Sequence, residues 1–219
     1  MEETKSTPIY QIGVSQIFLL GQKVHLKEPI QKNWWVYDVV SRSDFEDAEH
    51  TLVTYDDRYK AGKSDQSPDI CAANNSVWAF SELAWGLLPE LEASGCRIAH
   101  NVRVERGNKK FKLVYPAAVL DLLDHNLGYY SWNGGLISAV SEAHLYAWDG
   151  IPPLMFKVLL HHKEEYRGVT KSPYPGTFVS AAFKQETEQR KLTGIDFFEV
   201  PRSSLPPHQS KSSVIVYTP

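Results

Sequence analysis

Between Asn75 and Cys96 the chain reads NSVWAFSELAWGLLPELEASGC, and no other stretch limits the possible folds as much. An apolar run, Val77-Trp78-Ala79-Phe80, meets Ser81, whose hydroxyl can accept an orphaned backbone N–H at the start of a helix. Leu83, Ala84, Leu87, Leu88 and Leu91 then follow at i, i+1, i+4, i+5 and i+8, which is one face of a 3.6-residue repeat. Gly95 ends the pattern, because glycine takes a left-handed backbone at little cost. Pro89 interrupts it: a proline lacks the N–H an interior position needs and crowds the carbonyl four residues earlier, so a break near Trp85 is expected. The reading is a short strand feeding a central amphipathic helix that forms the main piece of core.

Around that centre the chain alternates strand and turn signals. Ile9 to Leu20 and Asn33 to Val40 read as strands, the second from its aromatic and β-branched content. Arg97 to Glu105 and Phe111 to Tyr115, joined through Arg106-Gly107-Asn108-Lys109, read as a hairpin. Pro116 opens AAVLDLLD as a second short helix, with proline at its first position. Asn133-Gly134 joins Tyr129–Trp132 to Leu136–Val140 in another hairpin, since both turn residues accept positive φ. Pro153 to Leu160 and Thr177 to Val179 are further apolar runs, Ser180 caps a late polar helix ending near Lys191, and Gly194 releases a strand over Ile195–Val200. The fold class is α+β, antiparallel hairpins and strands packed on a central helix. Residues 1–33 form an N-terminal extension, 34–201 the body, and 202–219 a mobile tail with an edge-strand candidate at Val214–Tyr217.

At 219 residues the chain can bury a substantial core, and two cysteines, Cys71 and Cys96, are too few for a disulfide framework. The start Met1-Glu2-Glu3 and the short run Ile17–Leu20 resemble neither a secretory leader nor a membrane span, so a cytoplasmic location is expected, with no membrane partner. A net charge of -3 and the lack of any nucleic-acid motif argue against nucleic-acid binding.

Chemistry-bearing motifs fail one by one. Gly62-Lys63-Ser64 lacks the first glycine of a phosphate loop, Asp57 standing in its place, and Tyr59 and Ala61 spoil a calcium loop. His161-His162-Lys163-Glu164-Glu165 lacks the spacing of a zinc-protease helix. His50, His125, His144 and His208 are scattered, and Cys96 with His100 makes no reactive dyad. No catalytic residue, cofactor or metal is expected, which points to a protein that acts by binding. The densest charge is Asp44, Glu46, Asp47 and Glu49, with Asp56 and Asp57 beyond; it reads either as a solvated face or as an acidic surface offered to a basic partner.

In order, Pro68-Asp69-Ile70, then Val77 to Glu82 running into the leucine-rich helix closed by Ser94-Gly95, a hairpin, Phe178-Val179-Ser180 opening a helix, and finally Leu192-Thr193-Gly194-Ile195-Asp196-Phe197 resemble a bacterial family. It is the family eleven immunity proteins of polymorphic-toxin systems, formerly a domain of unknown function. The likeness spans residues 34–201, and the closing Leu-Thr-Gly-hydrophobic-x-Phe signature is its most distinctive part. The resemblance implies an antitoxin role, a cytoplasmic protein that binds a cognate toxin delivered by contact or by a type VI-like secretion system. It assigns no catalytic residues, and the matched positions are fold positions. Two other readings stand beside it: a hydrolase whose carboxylates the fold gathers, and a small-ligand or sugar module using Trp34, Trp35, Trp132 or Trp148.

Overall fold

A computed structural model describes residues 7–14, 23–26, 45–47, 49–55, 68–73, 76–105, 109–133, 136–146, 151–166, 169–174, 176–203 and 214–216. It is a mixed α+β structure, mostly strand, in several sheets. The strands are β1 (Ile9–Val14), β2 (Lys23–Leu26), β3 (His50–Tyr55), β4 (Ile70–Ala72), β5 (Trp78–Ser81), β6 (Cys96–Ala99), β7 (Val102–Glu105), β8 (Phe111–Pro116) and β9 (Ala118–Leu120). They continue as β10 (Tyr129–Asn133), β11 (Leu136–Glu142), β12 (Leu145–Tyr146), β13 (Met155–Tyr166), β14 (Val169–Pro173), β15 (Thr177–Ser180), β16 (Ile195–Glu199), β17 (Arg202–Ser203) and β18 (Val214–Val216). A 3-10 helix at Glu82–Leu87 leads into α1 (Leu88–Ala93), and α2 (Ala181–Gln189) follows β15.

The largest sheet runs β16-β1-β15-β13-β9-β18, with β14 also paired to β13. A second runs β4-β5-β8-β6 and a third β2-β3-β7, while β10-β11 and β12-β17 form two-stranded ribbons. β1, from the stretch set apart as an extension, lies hydrogen-bonded between β15 and β16, and β17 and β18, from beyond residue 201, are paired as well. Three apolar clusters fill the interior. One gathers Phe80, Ala84, Leu87, Leu91, Val114, Met155 and Phe183; a second Ile9, Leu120, Phe156, Val158 and Phe178; a third Phe45, Leu52, Val77, Phe111, Leu113 and Tyr115.

The expected central helix is divided. In a regular α-helix the Trp85 carbonyl would accept from residue 89, but Pro89 has no N–H, and Leu88 N–H donates to it instead. That i→i+3 bond makes Glu82–Leu87 a 3-10 helix, and Pro89 falls in the first turn of α1, where its missing donor is harmless. With three residues per turn, Ala84 and Leu87 share the buried side while Leu83 turns outward, 70% exposed. The helical stretch supplies Ala84, Leu87, Leu88 and Leu91 to one cluster; the other two draw mainly on strands.

Two more expectations are corrected. The second short helix after Pro116 is strand: β8 runs through Pro116, and Ala118, Val119 and Leu120 in β9 are all buried between β13, which pairs parallel, and β18. A short apolar run buried on both sides reads alike as helix or strand until its neighbours are known. The Arg97–Glu105 strand breaks at His100-Asn101: β6 pairs with β8 as in the expected hairpin, but β7 leaves to pair parallel with β3. Other expectations hold. β10 and β11 form the expected hairpin, although Asn133, expected in the turn, is the last residue of β10 and pairs with Leu136; Gly95 (φ +98) follows the Ser94 C-cap of α1, and Ser180 Oγ accepts from Phe183 N at the start of α2. The expected strand over Asn33–Val40 lies outside the described residues.

Candidate functional site

Three places could carry function. The first is the acidic run. Phe45 is fully buried, its ring 5.8 Å from Tyr115 and 5.4 Å from His50. His50 Nε2 lies 2.8 Å from the Phe45 carbonyl oxygen, which can only accept, so that nitrogen carries the proton. Two buried rings therefore fasten both ends of a short segment and leave Asp47 and Glu49 exposed and Glu46 half-buried between them. Asp44, Asp56 and Asp57 lie outside the described residues.

The second place is Asp69, 6% exposed. Its Oδ1 accepts from Ser81 Oγ (3.1 Å) and Lys109 Nζ (3.1 Å), and its Oδ2 from Thr193 N (3.1 Å) and Thr193 Oγ1 (2.8 Å). The main chain joins in: Asp69 N and Ile70 N both donate to the Thr193 carbonyl at 3.0 Å, and Ser81 N donates to the Asp69 carbonyl at 2.8 Å. Ser81 makes no side-chain cap to the helix it precedes, because its hydroxyl is committed here. Burial alone would push the Asp69 carboxyl up, but the hydrogen bonds from Thr193 and Lys109 outweigh it and hold the group below the usual carboxylate range. Gly194 (φ +111) packs so closely that a Cβ there would overlap the Ile70 carbonyl oxygen. Short pieces of sequence 124 positions apart thus close on one carboxylate.

The third is a titratable cluster just past the end of β9 and midway along β13. His161 Nε2 sits 2.8 Å from Asp121 Oδ1, and Lys171 Nζ 4.0 Å from Asp121 Oδ2. The His125 ring meets His161 edge-on at 5.1 Å and stacks on Tyr130 at 5.5 Å. Tyr130 donates to the Asp124 carbonyl (2.8 Å), and Asn126 N donates to Asp124 Oδ1 (2.9 Å), which orders the intervening turn. The His161 hydrogen bond holds the Asp121 carboxyl below its ordinary range, and burial with the Asp124 charge pushes the Tyr130 phenol up to about 12. Chemically this is an imidazole steered by a carboxylate, half-exposed on both partners. Nothing local in the sequence sets His161 beside Asp121; β13 pairing parallel with β9 (Lys157↔Val119, Val158↔Leu120) does.

Among the described residues no group of three or more His, Cys, Asp or Glu could hold a metal ion, and no helix is long and apolar enough to cross a membrane. Cys71 and Cys96 are free and buried in separate clusters, their thiols pushed up to about 12 by burial. Trp34, Trp35 and Trp148 lie outside the described residues, and Trp132 belongs to β10. No protein-family model and no curated protein matches the chain.

Proposed function

We propose that this protein is an immunity protein that binds a cognate antibacterial toxin in the cytoplasm of the producing cell and covers the toxin's working surface. The observation that carries the reading is the closure at Asp69. The pieces on which the family resemblance rests, Pro68 to Ile70, Ser81, and Thr193 with Gly194, act as one hydrogen-bonded unit around the buried Asp69 rather than as independent short matches. They support a shared α+β body; the binding face lies elsewhere. The acidic run is the candidate face, since the buried Phe45 and His50 hold Glu46, Asp47 and Glu49 in place before a partner arrives, and a preordered loop loses less entropy on binding. A basic toxin covering it would bury a total area of about 1,600 Å².

The test is co-expression with the C-terminal toxin domain encoded beside this gene. Growth should be rescued and the two proteins should co-purify; continued killing despite full expression of this protein would end the reading. Reversing Glu46, Asp47 and Glu49 to lysine should slow association at least about tenfold and alter its salt dependence, as steering by complementary charge requires.

A second reading, an acid–base enzyme, is favoured by the 2.8 Å contact between His161 and Asp121. It predicts turnover by the purified protein that His161→Gln abolishes. Hydrolysis that survives His161→Gln would remove the pair from consideration.

A further inference from the structure

We draw no further inference here: the strongest candidate, the half-exposed side-chain cluster of Asp121, His161 and Lys171 that runs from just past the end of β9 across β13 to β14, belongs to the acid–base site already described, and none of its contacts points to a particular substrate or partner.

Discussion

Replacing Lys157 by methionine should stabilise the protein at neutral pH and remove a distinctive pH dependence. Lys157 lies within β13, 2% exposed, and its Nζ sits 4.2 Å from the centre of the Tyr115 ring with no carboxylate beside it among the described residues. Burial pulls its ammonium from 10.5 down to about 7. At about 1.36 kcal/mol per pH unit, that gap is worth on the order of 5 kcal/mol against the folded state. The sign follows from proton counting. Below about pH 7 both states carry the proton and the penalty is fully present; as pH rises from there toward 10.5 the folded protein releases its proton first, and stability climbs. The clean window is pH 7 to about 8.5, because unfolded thiols ionise from about there upward, while the folded Cys71 and Cys96 hold their protons to about 12, which favours unfolding. Across it the wild type should gain about 2 kcal/mol in urea unfolding. The methionine variant should be flat across the same window. At pH 7 it should exceed the wild type by about 2–3 kcal/mol, once a cation–π contact of up to about 2 kcal/mol with Tyr115 is subtracted. A variant less stable than wild type, with the wild-type slope retained, would show that the ammonium is solvated and refute the reasoning.

Asp69→Asn should cost about 2–4 kcal/mol, because an amide nitrogen cannot accept from the donors around it and Lys109 is left without a counter-charge; chemical denaturation measures it. The wild type should also lose stability as pH falls below about 4, where the lowered Asp69 carboxyl finally takes up a proton, and this acid limb should weaken in the asparagine variant. Gly194→Ala should destabilise by more than about 2 kcal/mol in the same assay, since its backbone is left-handed and its Cβ would strike the Ile70 carbonyl. Both thiols should resist an aromatic disulfide reagent in the native protein and react together on unfolding; reaction of one in native buffer would contradict its burial.

Features that depend on a few adjacent residues were legible in the sequence. The Ser180 cap, the glycine after Ser94 and the interruption at Pro89 each follow from the stereochemistry of one or two residues, and each is found; the β10–β11 hairpin is found too, with Asn133 in the strand rather than in the turn. What failed shares a different property. β9 reads as helix because its apolar run gains a strand's hydrogen bonds only from β13 and β18, from 38 to 98 positions away in the register pairs Val119↔Lys157 and Ala118↔Val216. β7 reads as the continuation of β6, although its partner β3 lies upstream of both. Parallel pairing leaves no local turn signal, so the periodicity of a strand cannot name its neighbour.

The same physics decides which functional candidates the sequence could reveal. A run of carboxylates is visible because charge density is a local property, yet its fixed presentation depends on Phe45 reaching Tyr115 across 70 positions. The Asp121–His161 contact is hidden outright, since it exists only through the β9–β13 register, and a one-residue slip would carry His161 to the opposite face of its strand. Asp69 is the intermediate case. Pro68-Asp69-Ile70 and Leu192-Thr193-Gly194 stand out as motifs, but the sequence cannot say that one accepts the hydrogen bonds of the other. Once they are joined, the carboxylate has its acceptor sites occupied and almost no exposure, which leaves it nothing to offer a substrate or a partner. The most recognisable residues of this chain therefore close the fold, and the candidates for binding or catalysis, Glu46, Asp47, Glu49 and His161, lie outside them.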